Sequence, residues 1–126
     1  MKNKVLLRQC TKCGAMVEVL KDCTCDNCGI KCCGETMQTV TENSVDASYE
    51  KHLPTYEVIG NYVVVNVPHV MEDEHFIEWI GMDGANINAK KYCKIGSPAK
   101  AVFPYIKGAK ILSYCNKHGL WSTIVE

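Results

Sequence analysis

Tyr56-Glu57-Val58-Ile59-Gly60-Asn61-Tyr62-Val63-Val64-Val65-Asn66-Val67 is the stretch that decides how this chain folds. Two runs rich in β-branched and aromatic residues flank Gly60-Asn61, a dipeptide suited to a two-residue hairpin loop. The pattern continues toward the C-terminus. Phe76–Ile80 is followed by Asp83-Gly84, another hairpin-type dipeptide, and then by a run from Ile87 to Ile95. Pro98–Phe103, Lys110–Cys115 and Leu120–Val125 bring the total to about seven strand candidates over some 75 residues. Short strands at that spacing predict an all-β fold, a sandwich, rather than a helical domain. Helix is expected at most as a turn near Met71–His75.

Outward in the other direction the composition changes. Seven of the nine cysteines fall in the first 33 residues, whereas all four histidines come after residue 51. Alternation over Met16–Leu20 reads as one strand, and the rest of that segment reads as turns. So short a segment cannot bury enough apolar area to offset its chain entropy, and it needs a metal or a partner to fold. Thr39 to Ala47 is polar and without periodicity. The expected organisation is therefore a Cys-rich metal module over 1–38, a linker over 39–48 and a β domain over 49–126.

Bulk properties narrow the function. Lys plus Arg is 14 and Asp plus Glu is 14 in 126 residues, and this zero balance argues against a nucleic-acid partner, which calls for a basic excess. Apolar residues at 47% and charged residues at 22% are ordinary globular values, against disorder. No apolar run reaches the roughly 7–15 residues of a signal peptide or the roughly 18 of a membrane span. The expected compartment is the cytoplasm, with no membrane partner. Clustered cysteines in a reducing compartment bind metal more often than they pair, and the odd count of nine agrees.

Two metal constellations follow. Cys10-x-x-Cys13 offers two thiolates on one tight turn, and Cys32 with Cys33 could complete a tetrahedral set for iron or zinc. Adjacent cysteines tend to diverge, so the rival set Cys10, Cys13, Cys25 and Cys28 stays open, as does an iron–sulfur cluster held by four of the seven, with Cys23 among the alternative ligands. The second constellation is His52, His69, His75 and His118, each at a strand end or turn, with Cys115 three residues before His118. Imidazoles plus one thiolate suit iron or copper, and zinc as well.

Glu50-Lys51-His52-x-Pro54, Val67-Pro68-His69-x-Met71, Glu74-His75-Phe76-Ile77-Glu78-Trp79-Ile80 and Tyr114-Cys115-Asn116-x-His118-Gly119-Leu120-Trp121 closely resemble the superoxide reductases. Cys10-x-x-Cys13 with Cys32-Cys33-Gly34-Glu35-x-Met37 resembles the desulforedoxin module of the two-iron members, the desulfoferrodoxins. The resemblance covers nearly the whole chain with its motifs in order. It implies an immunoglobulin-like β-sandwich behind a small rubredoxin- or desulforedoxin-like module. It also implies a catalytic iron held by His52, His69, His75, His118 and axial Cys115, and a second iron held by Cys10, Cys13, Cys32 and Cys33.

The implied reaction is the one-electron reduction of superoxide to hydrogen peroxide at a ferrous site with an open sixth position, a defence against oxidative stress in anaerobes. Lys51 corresponds to the lysine that attracts the anion, and Glu50 to the residue that caps iron in the resting enzyme. A rubredoxin-like electron donor and a homodimer are further implications. The alternatives are a non-catalytic iron-binding electron carrier of the same fold and a dismutase. Cys23-Thr24-Cys25-x-x-Cys28 departs from the family pattern, in a loop typically free of cysteine there. Cys93 also has no counterpart and reads as a small apolar strand residue.

Overall fold

The structure, a computed structural model, describes residues 5–25, 29–43 and 49–126, apart from the side chains of Tyr49 and Glu50. The chain divides into two units, residues 4–41 and residues 42–126.

In the first unit β1 (Leu7–Gln9) lies between β2 (Met16–Glu18) and, on its other side, a later strand; β3 (Lys31–Cys32) and β4 (Glu35–Thr36) form a separate hairpin. That later strand is β5 (Gln38–Thr39), and both of its neighbours run antiparallel to β1, with Arg8 opposite Val17 and Thr39. The expected strand over Met16–Leu20 stops at Glu18, and Leu20 is 92% exposed. The remainder is more ordered than the expected turns, because strands of two or three residues are too short to show alternation in a sequence. Among the described residues only Leu7, Cys10 and Met37 of this unit are buried. Three side chains do not make a self-sufficient core.

The second unit opens with a single helical turn, α1 (Tyr49–His52). Seven strands follow: β6 (Thr55–Ile59), β7 (Tyr62–Val67), β8 (Ile77–Asp83), β9 (Asn88–Tyr92), β10 (Ala99–Pro104), β11 (Lys110–Cys115) and β12 (Gly119–Ile124). They form a three-stranded sheet, β10-β7-β6, and a four-stranded sheet, β12-β11-β8-β9, every pair antiparallel. This is the immunoglobulin-like sandwich. The core lies between the sheets, from Val63, Val65 and Val67 with Ala101 and Phe103 on one side to Ile77, Ile80, Met82 and Ile111 on the other.

Local chemistry explains the turns. Ile59 pairs with Tyr62 across Gly60-Asn61, and Gly60 takes φ 60, the left-handed first position of a II′ loop that glycine occupies without strain. The Asp83-Gly84 hairpin closes on a wider loop, with Asp83 opposite Asn88 and Gly84 N donating to Ile87 O at 2.8 Å. One expectation needs correction. Met71–His75 is not helical: Glu72 and His75 exchange two backbone bonds of 3.0 and 3.1 Å, so it is a tight β loop. The helical turn among the described residues is at Tyr49–His52 instead.

The segment read as a linker carries structured residues as well. Thr39 belongs to β5, Glu42 bridges Leu120, and Ser122 N donates to Asn43 Oδ1 at 2.9 Å. Residues 44–48 lie outside the described part.

Ile80 is fully buried between the sheets. Ile80→Ala is expected to destabilise this unit by about 2–5 kcal/mol, the usual cost of such a cavity. Both tryptophans, Trp79 and Trp121, lie in this unit, so urea denaturation followed by tryptophan fluorescence measures the loss without interference from residues 4–41.

Candidate metal centres

Five side chains from five segments meet at one end of the sandwich. His52 closes α1, His69 follows β7, His75 precedes β8, Cys115 ends β11, and His118 sits in the turn to β12. One donor atom of each lies within 4.8 Å of those of the others. The rings form a square: centroids are separated by 4.7 Å for His52–His69, 4.5 Å for His69–His75, 5.0 Å for His75–His118 and 4.8 Å for His118–His52. The His52–His75 diagonal is longer, 6.4 Å. Cys115 Sγ is 3.5 Å from His69 Nε2 and 3.9 Å from His118 Nδ1. Cys115 is wholly buried and belongs to the core cluster, so its sulfur meets the square from the core side.

The protein by itself satisfies only some of the atoms gathered there: His52 Nε2 and His118 Nδ1 share a hydrogen bond of 3.0 Å. His75 Nε2 is buried without a hydrogen-bond partner, a loss of about 1–3 kcal/mol for an ordinary polar group. Burial pushes the His69 and His75 imidazoles below their ordinary pKa, and positive charge on neighbouring rings adds to the effect. Neutral rings keep a lone pair available. At His69 the direction of that lone pair is fixed, because Nδ1 donates to Val70 O at 2.6 Å and leaves Nε2 to face Cys115. Four imidazoles and one cysteine sulfur, converging with an orphaned nitrogen, fit a transition-metal ion.

Three supporting groups lie outside the residues that the sequence singles out. Trp121 stacks on His52 at 5.0 Å, and its Nε1 donates to His118 O at 3.1 Å, tying two donor segments together. Ser113 Oγ donates to His52 O at 2.9 Å in the buried interior. The Val70 carbonyl is the third. Trp121 stands inside a recognisable motif, but Ser113 and a backbone oxygen leave no pattern in a sequence. Lys51 is exposed next to His52, whereas the side chain of Glu50 lies outside the described residues.

The second cluster is Cys10, Cys13, Cys32 and Cys33, whose sulfurs also lie within 4.8 Å of one another. Cys13 and Cys32 sulfurs are 3.6 Å apart, and those of Cys32 and Cys33 3.8 Å. A tetrahedron built on metal–sulfur bonds of about 2.3 Å has edges of about 3.8 Å, so the spacing fits a four-sulfur ion. The difficulty of adjacent cysteines is resolved by the backbone. Cys33 and Gly34 take φ 55 and 80, a left-handed turn between β3 and β4 that brings neighbouring side chains to one side. Backbone N–H groups of Cys13 and Lys12 lower the Cys10 thiol to about 7. Hydrogen bonding with Cys13 and Cys10 raises Cys32 to about 12, and contact with Cys13 raises Cys33. The Cys10 thiolate forms readily, whereas Cys32 and Cys33 lose their protons only to a metal.

Cys23 and Cys25 stand apart from this cluster: Cys23 is disulfide-bonded, and Cys25 is an exposed free thiol. The expectation that the clustered cysteines bind metal does not extend to Cys23. Cys28 lies outside the described residues. Cys93 is half-buried against the core, and burial raises its thiol.

Comparison with known proteins agrees with both clusters. A family model described as Desulfoferrodoxin matches residues 44–124. The desulfoferrodoxin of Syntrophotalea carbinolica is 38% identical over 127 residues, covering 98% of each chain. The superoxide reductase of Thermococcus kodakarensis is 34% identical over 112 residues, 71% of this chain and 97% of its own. Among solved structures, the superoxide reductase from Treponema pallidum aligns with a TM-score of 0.69 at 25% identity, covering 93% of this chain and 98% of that one.

Removing metal should affect the units unequally. With only Leu7, Cys10 and Met37 buried among the described residues, residues 4–41 are expected to lose their strand signals in heteronuclear NMR spectra of chelated protein, while residues 55–124 keep theirs. Cys32→Ser is expected to abolish metal in the four-sulfur cluster, and Cys25→Ser to leave the metal count unchanged, both measured by elemental analysis.

Proposed function

The chain belongs to the desulfoferrodoxin family, and from that premise we infer that the histidine–cysteine cluster is where it reduces superoxide. It is a superoxide reductase, an oxidoreductase, and its two clusters correspond to the family's two iron centres. The observation that carries this reading is the square of His52, His69, His75 and His118 over the buried Cys115 sulfur. We assign these five as the ligands of the catalytic iron, and Cys10, Cys13, Cys32 and Cys33 as those of the second. When bound, the catalytic iron supplies the single electron that, with two protons, converts superoxide to hydrogen peroxide.

The chain's own residues do the rest. The imidazoles of His69 and His75 stay neutral through burial, so they present lone pairs rather than compete with the metal as cations. Val70 O holds the proton on His69 Nδ1. Cys115, sealed in the core, keeps its sulfur away from water and from peroxide diffusing off the exposed side. Lys51 is exposed one residue before His52, and its ammonium attracts the anion and offers protons through water. Glu50 is assigned from the family motif as the carboxylate that caps the resting site.

The finer partner assignments are ours too. Electrons come from a rubredoxin-like donor. A homodimer is supported by the outer face of β6, β7 and β10, where Ile59, Tyr62 and Val102 are each more than half exposed. No described helix is long and apolar enough to cross a membrane.

Counting products separates this reading from its rivals. Reduction gives one peroxide per superoxide with consumption of a donor, dismutation one per two without it, and a bare electron carrier no catalytic peroxide. Lys51→Ile is expected to lower the second-order rate constant with superoxide about tenfold and to flatten its dependence on ionic strength, with the iron spectrum unchanged. Pulse radiolysis measures both, and an unchanged rate would remove Lys51 from the mechanism.

A further inference from the structure

We propose that Asn116 is a positioning residue whose carboxamide, bonded on both sides of His75, holds that imidazole in the square. The proposal rests on the reading of His75 as a ligand of the catalytic iron.

Cys115 is the last residue of β11 and lies opposite Ile77 of β8. Beyond that pair the ladder gains one more main-chain bond, Asn116 N donating to Phe76 O at 3.2 Å. The side chain then takes over the role of a strand. Phe76 N donates to Asn116 Oδ1 at 3.0 Å, and Asn116 Nδ2 donates to Glu74 O at 3.0 Å. The two peptide groups gripped in this way are the ones that flank His75.

Their other ends are held by Glu72. His75 N donates to Glu72 O at 3.1 Å, and Glu72 N donates to His75 O at 3.0 Å. The peptide between Glu74 and His75 is thus fixed through its carbonyl by Asn116 and through its N–H by Glu72. The peptide between His75 and Phe76 is fixed through its N–H by Asn116 and through its carbonyl by Glu72. Both backbone torsions of His75 are set by these four bonds. His75 Nε2, buried without a partner, points where that backbone sends it.

The residue type follows from the task. One short side chain must offer an acceptor and a donor on adjacent positions, as an amide does. The substitution Asn116→Asp would keep the acceptor for Phe76 but turn a carboxylate oxygen toward the Glu74 carbonyl. Because Asn116 directly follows Cys115, the clamp also locks the spacing between the thiol and one imidazole, two donors that arrive from different strands.

The test measures iron release to a chelator from the histidine–cysteine site, followed by its absorption band, and amide hydrogen exchange at Phe76 in the full chain. Asn116→Ala is expected to speed release about 10- to 100-fold, the usual effect of losing a ligand's support, and to deprotect the Phe76 amide. In a His75→Ala background the same change should add nothing, because the clamp acts through His75. Asn116→Asp, which preserves shape, is expected to keep Phe76 protected and still release iron faster. Wild-type release from Asn116→Asp, or an equal acceleration by Asn116→Ala with and without His75, would overturn the proposal. Unchanged release from His75→Ala alone would instead refute the ligand reading on which it rests.

Discussion

The pairing of β11 with β8, and the one-residue shift within it, is the constraint on which the catalytic end depends. Tyr114 lies opposite Trp79, but Cys115 lies opposite Ile77, so Glu78 is the extra residue of a bulge. Without that shift, strict alternation would put Ile77 on the opposite face from Ile80 and Met82. With it, Ile77, Ile80 and Met82 all enter the core, and Ile77 meets Cys115, which β11's own alternation already places on that face with Ile111 and Ser113. The bulge therefore sets a core residue of β8 opposite the sulfur and, at the same step, brings the segment before β8 alongside the turn after β11. His75 and His118 are neighbours because of it.

The two units reach a metal-ready state by different physics. The sandwich has a core from Val63 to Val125 that owes nothing to a metal, so its histidine–cysteine end is held in shape by strands and by Trp121. Cost is concentrated at the site, in an orphaned nitrogen and in imidazoles held neutral by burial. The unit over residues 4–41 has almost no core, and its order depends on four sulfurs meeting across the β3–β4 turn. In one case the fold prepares a site for a metal; in the other the metal completes the fold.

That difference also decides how much of each unit is legible in the sequence. The seven strands of the sandwich are legible because each is five to seven residues long, enough for alternation and turn dipeptides to register. Strands of two or three residues, as in residues 4–41, carry no such signal. The square of histidines is legible through its motifs, because all four histidines of the chain lie in them. Hidden from such a reading is how Cys32 and Cys33 share one cluster, since φ 55 at Cys33 is a backbone property of a non-glycine residue. The bulge at Glu78 is equally hidden. Phe76–Ile80 looks like a plain strand, and only its pairing partner shows that Ile77 and Ile80 share a face.

Charge shows why totals mislead about a small anionic substrate. With 14 basic and 14 acidic residues, the chain has no net field to draw superoxide from afar. At physiological salt a field decays over about 8 Å in any case, so only charges close to the site matter. Lys51 and Lys117 are exposed and each adjoins a histidine of the square, His52 and His118; Lys117 is close enough to disfavour protonation of His75. Glu72, Asp73 and Glu74 are exposed on the loop before His75 and oppose that pull. Glu72 acts on His75 in the opposite sense to Lys117. On the proposed reading the anion meets a short-range contest between two lysines and an acidic loop, and the loop's position is set by the bonds to Glu74 and Phe76. Holding that loop in one place fixes the local field as well as the imidazole, so the same backbone bonds serve both the metal and the approach of its substrate.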